Sequence, residues 1–171
     1  MELARNLFKK QDLNEWQKYL KDENKQPLLE EIKNLINEIE DPSEFAVLVR
    51  ALMMLNDPHS LSSVLEGLFS SRSNLKENKN LQNLFLLTMI KTQPNRLKDY
   101  ILVLSNYDGE DVAKIAEKSE LYEEAFLIYD KFGKHLQAIE ILLTNLNNHQ
   151  RATEYAKKIN SQEVLERLNK N

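Results

Sequence analysis

Ala125-Phe126-Leu127-Ile128-Tyr129, Ala138-Ile139-Glu140-Ile141-Leu142 and Ala152-Thr153-Glu154-Tyr155-Ala156 carry one pattern three times, with the alanines 13 and 14 residues apart. In each copy the residues three and four places after the Ala share its helix face. The small Ala lets a neighbouring helix approach closely, and the following pair fills the next layer. Each copy reads as one helix, so a helical hairpin occupies about 27 residues. A single hairpin cannot bury its own apolar face, whereas stacked hairpins share it. The fold this predicts is all-α, a solenoid of stacked antiparallel hairpins resembling armadillo or TPR superhelices.

The pattern extends toward the N-terminus. Leu28, Ile32, Leu35, Ile36 and Ile39 form a stripe at helical spacing, as do Phe45, Leu48, Val49 and Leu52, and then Leu61, Val64, Leu65 and Leu68. Leu81 to Ile90 is apolar nearly all round, which predicts burial on several sides. Asp41-Pro42-Ser43-Glu44, Asp57-Pro58, Gln93-Pro94 and Asp108-Gly109-Glu110-Asp111 read as helix starts. Gly133, after Lys131 and Phe132, reads as a helix stop. Eleven or twelve helices of about 8–14 residues follow, with the polar stretch Ser70 to Lys79 expected as a loop. Leu3, Leu7 and Phe8 at one end, and Val164, Leu165 and Leu168 at the other, remain core-patterned. That predicts uncapped ends and a segment of a longer array.

Composition agrees. Only three Gly and four Pro occur in 171 residues, roughly a third of average usage, which argues against an all-β fold with its many tight turns. Leu is 29, against 20 for Val, Ile and Thr together, as a helical chain prefers. The net charge of −4 argues against a nucleic-acid binder. The absence of Cys removes disulfides, thiolate metal sites and thiol nucleophiles. No stretch approaches the ~18 apolar residues of a membrane span, and the first five residues carry no secretion signal. The abundance of Asn, 18 residues, suggests no function.

Chemistry-bearing patterns are sparse. His59, His135 and His149 have no ligand spacing and read as surface or loop residues. The adjacent acids Glu30-Glu31 and Glu123-Glu124 point to different sides of a helix, so they cannot face one cleft. Asp108 to Asp111 lacks the alternating ligands of a calcium loop. With three Gly, no phosphate loop, dinucleotide fingerprint or nucleophile elbow can be built. Lys9-Lys10 and Lys157-Lys158 read as solvated faces, and Trp16, Phe45, Phe85, Phe126 and Phe132 as core. A scaffold without enzymatic activity, cofactor or metal is expected.

Longer motifs resemble a known family. Asn106-Tyr107-Asp108-Gly109-Glu110-Asp111-Val112-Ala113-Lys114-Ile115-Ala116 is similar to the clathrin heavy chain, as is Glu120-Leu121-Tyr122-Glu123-Glu124-Ala125-Phe126-Leu127-Ile128-Tyr129 followed by Lys131-Phe132. Asn80-Leu81-Gln82-Asn83-Leu84 with Thr88 and Ile90-Lys91, and Arg151-Ala152 with Glu154-Tyr155-Ala156 and Asn160, extend the likeness. It continues more weakly through Asp12, Glu15-Trp16, Gln26-Pro27-Leu28 and Asp41-Pro42. Glu110 stands where the family usually has Pro, Thr153 where it has an aromatic, and Leu165 where it has Trp.

The resemblance implies a piece of a heavy-chain leg starting near the knee, with 1–79 closing one repeat and 80–171 opening the next. It implies a structural role in the cytoplasmic coats of pits and vesicles, in endocytosis and intracellular transport. The partners implied are other heavy chains in the lattice, with light chains bound mostly nearer the hub; no nucleic acid or membrane insertion is expected, and the isolated piece should be monomeric. Lys131 falls near a basic pair of the family, with Asp130 replacing one member, and is the one residue expected to bind a protein partner. The alternatives are a stand-alone helical-repeat adaptor gripping peptides and a vesicle-tethering subunit with clathrin-like repeats.

Overall fold

Helix starts and stops govern the architecture, and the computed structural model describes them over residues 2–21, 23 and 25–170. Asp12, Asp41 and Asp57 occupy N-cap positions, and their carboxylates accept bonds from the amides of Asn14, Ser43 and Ser60, satisfying donors that the first helical turn leaves open. Pro42 and Pro58 follow as first helical residues, where no amide is needed. Asp108 takes the N-cap position of its helix without making the side-chain cap bond. Gln93-Pro94 opens only a 3-10 turn, Pro94–Arg96.

Among the described residues there are twelve α-helices and no strand. The chain divides into two compact units, residues 1–92 and 93–171. The first holds α1 (Glu2–Lys10), α2 (Leu13–Leu20), α3 (Lys25–Leu35), α4 (Pro42–Met54), α5 (Pro58–Phe69) and α6 (Lys79–Thr92). Here α4 packs on α1, α2 and α5, α3 on α1, α2 and α5, and α5 on α6. Its core gathers Phe8, Trp16 and Phe45: Phe8 meets Trp16 edge-on with centroids 5.0 Å apart and stacks on Phe45 at 6.4 Å. Leu7 and Phe8 are therefore buried, not an exposed end face. The indole Nε1 of Trp16 is buried without a hydrogen-bond partner, so the ring is held by packing alone.

The second unit holds α7 (Leu97–Ile101), α8 (Gly109–Lys118), α9 (Tyr122–Lys131), α10 (His135–Glu140), α11 (His149–Ile159) and α12 (Gln162–Asn169). A π-helical turn, Ile141–Asn145, continues α10. From α8 to α12 each helix packs on the next, while α7 packs on α9 and α10 on α12 as well. This is the hairpin stacking that the Ala repeat predicts. Ala125, Ala138 and Ala152 lie on α9, α10 and α11 and are fully buried. Ala113 and Ala116 on α8 are buried as well.

Two details depart from expectation. The polar stretch Ser70 to Lys79 contains a 3-10 turn, Asn74–Glu77, and is pinned. Leu75 is buried, and the Ser73 hydroxyl accepts from the Leu75 amide and donates to the Ile39 carbonyl. The Asn residues also have structural work: Asn56, Asn147 and Asn160 take left-handed backbone at φ 53°, 47° and 53°, a conformation that Asn tolerates better than most residues. Helix α9 ends as its sequence predicts. Gly133 has φ 74°, its amide donates to the Asp130 carbonyl, and the Lys134 amide donates to Tyr129 at 2.8 Å.

Candidate interaction surfaces

Lys131, the last residue of α9, sends its ammonium across to the end of α7. It donates to the carbonyls of Ile101 at 2.9 Å and Leu102 at 3.0 Å, and also to that of Leu104. Ile101 ends α7 and Leu102 is its C-cap, so their carbonyls lie at the negative end of the helix dipole. The Ile101 carbonyl also accepts from the Tyr107 hydroxyl at 2.7 Å, and Leu104 lies just beyond the helix. The same ammonium lies 5.7 Å from the centroid of the Tyr107 ring. Partial burial pulls the Lys131 pKa below its ordinary value. The three protons of the residue expected to meet a partner are thus engaged within the chain. Its bonds fix the turn that presents Leu102 and Val103, which are 50% and 75% exposed.

Asp130 sits in a second cluster. The Tyr155 hydroxyl donates to its Oδ1 at 3.0 Å, and His135 Nδ1 lies 2.7 Å from that hydroxyl and 3.6 Å from the carboxylate. Because the tyrosine proton goes to Asp130, the geometry calls for an Nδ1–H on His135. Burial, together with the bond to Asp130, pushes the Tyr155 hydroxyl well above its ordinary pKa. Tyr129 is raised likewise by burial and by its bond to Glu117, and Tyr107 by burial. His59 and His149 are exposed.

Bidentate ion pairs join alternate helices of the second unit. Arg151 on α11 clasps Glu123 on α9, with Nη2 to Oε2 at 3.0 Å, and its guanidinium lies 4.8 Å from the Phe126 ring centroid. Arg167 on α12 clasps Glu140 on α10, with Nη2 to Oε1 at 2.8 Å. Glu123 had no partner apparent in its neighbouring sequence. The signal was its distance from Arg151: 28 residues, and 27 for the second pair, is one hairpin repeat. The pairs at Lys9-Lys10 and Lys157-Lys158 are exposed helix ends.

Among the described residues, no group of three His, Asp or Glu side chains is placed to hold a metal ion. No helix is long and apolar enough to cross a membrane. Buried alanines, interlocked hairpins and repeat-spaced ion pairs together define a helical-repeat scaffold.

Comparison with known proteins narrows that class. Residues 36–171 match the family described as the region in clathrin and VPS, and the chain belongs to that family. Its helical-repeat solenoid is the fold expected from the sequence. The chain is 40% identical over 171 residues to "Probable clathrin heavy chain 1" of Caenorhabditis elegans, 98% of this chain and 10% of that protein. It is 38% identical over 170 residues to "Clathrin heavy chain" of Drosophila melanogaster, with the same shares covered. It is 37% identical over 168 residues to "Clathrin heavy chain 2" of Homo sapiens, 96% of this chain and 10% of that protein. The chain thus spans about a tenth of the length of the curated relatives it matches.

Proposed function

We propose that this chain is a non-enzymatic structural segment of a clathrin heavy-chain leg. It scaffolds the polyhedral coat of vesicles in endocytosis and intracellular protein transport, on the cytosolic face of coated pits and vesicles. The observation that carries this reading is identity of 35–40% to clathrin heavy chains along nearly the whole chain, in animals, plants and yeast. The segment belongs to the proximal leg near the knee, with residues 1–79 closing one repeat and 80–171 opening the next.

A leg acts mechanically. The hairpins and the clasps Glu123–Arg151 and Glu140–Arg167 hold its shape, and many weak contacts with other heavy chains add up through multivalency in the lattice. The isolated segment is then a monomer. Lys131 is the proposed contact for an acidic segment of a light chain; its charge attracts while its protons remain on the α7 carbonyls. A vesicle-tethering subunit is the second reading, because the matching family embraces VPS proteins as well as clathrin.

The test is an antibody against this chain, used on cell lysate and on a purified coated-vesicle fraction. The expected result is a polypeptide far larger than 171 residues, enriched with the coats. Enrichment with a tethering complex instead, or a soluble band of the chain's own size, would overturn it. Analytical ultracentrifugation of the segment should give a monomer.

A further inference from the structure

Helix α6 carries more apolar surface than the first unit covers. Phe85, Leu86, Met89 and Ile90 are buried, but Leu81, Leu84 and Leu87 are only half-buried. They fall at i, i+3 and i+6 and continue to Lys91, making one stripe along the helix. A second stripe faces it from α4: Ala46, Val49, Arg50 and Met53, at i, i+3, i+4 and i+7. Between the two runs an open groove of two lobes. One lobe, of about 440 Å³, lies against Ala46, Val49, Leu81 and Leu84. The other, of about 280 Å³, lies against Leu61, Leu84 and Leu87. Met53 and Leu84 line both lobes, so they are continuous. Met53 is 55% exposed, although it is an unbranched apolar side chain, of the kind that re-packs readily around a bound apolar group.

The charges at the rim say what fits. Arg50 borders the larger lobe and Lys91 the smaller. Both are exposed, and neither forms an ion pair among the described residues. Asp57 is the one acid in the lining, and its carboxylate is already bonded to Lys25 and to the Ser60 amide. The groove is therefore an apolar trough with an uncompensated cation near each lobe. We propose that the α4–α6 groove is a docking site for an amphipathic helical peptide whose apolar face, spaced i, i+3, i+4 and i+7, is flanked by acidic residues at both ends. A helix laid between two apolar stripes buries its own stripe on both, and Arg50 and Lys91 set its preference for acid through rim electrostatics. This site is independent of the coat role proposed above, and it places a partner on the first unit, away from Lys131.

The test uses a synthetic 16-residue helical peptide with Leu at i, i+3, i+4 and i+7 and Glu pairs at both ends. A second peptide carries Lys in place of each Glu. Both are titrated into the whole chain carrying 13C-methyl methionine. The expected result is a saturable shift of the Met53 methyl with the Glu peptide, the buried Met89 unmoved, and much weaker binding of the Lys peptide. The surface variant R50E/K91E should weaken the Glu peptide roughly threefold to tenfold and favour the Lys peptide. Equal binding of both peptides, or no Met53 shift at millimolar peptide, would overturn the proposal. So would a Met53 shift that tracks protein concentration without peptide, which would mean that a second copy fills the groove.

Discussion

Gly109, the first residue of α8, lies directly under the ring of Phe132 at the end of α9. A Cβ built on Gly109 would fall 2.8 Å from Cε2 of that ring and closer still to Cγ and Cδ2. The ring is itself fixed edge-on against Tyr107, with centroids 4.9 Å apart. Gly109→Ala therefore overpacks a closed contact and should cost about 1–3 kcal/mol in urea unfolding. Phe132→Leu in the same background should recover part of that loss. A double-mutant cycle with no coupling would show that something other than the ring excludes a side chain at 109.

Two helix ends share one geometry with different residues, and this gives a pair of opposite expectations. Gly133 closes α9 at φ 74°, and Glu120 closes α8 at φ 61°. In α8 the Leu121 amide donates to Ala116 and the Glu120 amide to Glu117, both at 2.9 Å, the same double bond pattern as at Gly133. A Cβ in left-handed backbone costs about 1–2 kcal/mol. Glu120→Gly should raise stability by about 1 kcal/mol, and Gly133→Ala should lower it by a similar amount. Thermal melts of the two variants moving in the same direction would refute the shared geometry.

The alanine register makes the third expectation. Ala125 and Ala138 are fully buried between neighbouring helices. Replacing either with Leu should force α9 or α10 from its neighbours and cost roughly 1–3 kcal/mol. Unchanged melting temperatures in both variants would mean that the helices do not approach at these residues.

That register, and the helix starts at Asp41 and Asp57, were legible because they depend on local chemistry: a small residue at a fixed spacing, or a carboxylate before a proline. What could not be read depends on which helices meet. Lys131 was expected to meet a protein partner, and nothing in its own sequence says that the end of α7 lies within reach of its ammonium. Leu81, Leu84 and Leu87 looked like core, because periodicity reports an apolar face and not whether another element covers it. The abundance of Asn suggested no function, although three sit at left-handed positions. Glu123 and Arg151 could have been paired once the hairpin length was known, since 28 residues separate them.

The response to pH follows from one capping carboxylate and three buried tyrosines. Burial alone would raise the Asp57 carboxyl, but the bonds from Lys25 and Ser60 and the Lys25 charge outweigh it, so its pKa falls below the ordinary 3.8. A depressed carboxyl stabilises the fold above its unfolded pKa, and that contribution is lost as pH falls through the folded value. Stability should fall below about pH 4, and Asp57→Asn should flatten that limb. The raised tyrosines act in the opposite sense. Tyr107, Tyr129 and Tyr155 stay neutral in the fold above their ordinary 10.0, so stability should be lost as pH climbs beyond 10. Urea midpoints that are flat from pH 3 to 6, or from pH 9 to 11, would contradict the respective half of this expectation.

Lys131→Met keeps an unbranched apolar stem, one atom shorter, and deletes the three donors. The carbonyls of Leu102 and Leu104 would then turn to water, that of Ile101 would keep only its bond from the Tyr107 hydroxyl, and the turn after α7 would lose its fastening to α9. Global stability should drop by about 1 kcal/mol, a partly solvated charged bond being worth less than a buried one. The sharper readout is local. The Val103 and Leu104 amides donate to Tyr100, and their hydrogen exchange should accelerate more than that of amides in α10 or α11. Lys131→Arg keeps the charge with a different fork of donors and should restore part of the protection. If Lys131→Met leaves exchange at 103 and 104 unchanged yet abolishes association with an acidic peptide, the residue acts outward, toward a partner. If exchange accelerates in Lys131→Met and returns toward normal in Lys131→Arg, its first role is to hold the end of α7 and, through it, the exposed Leu102-Val103 turn.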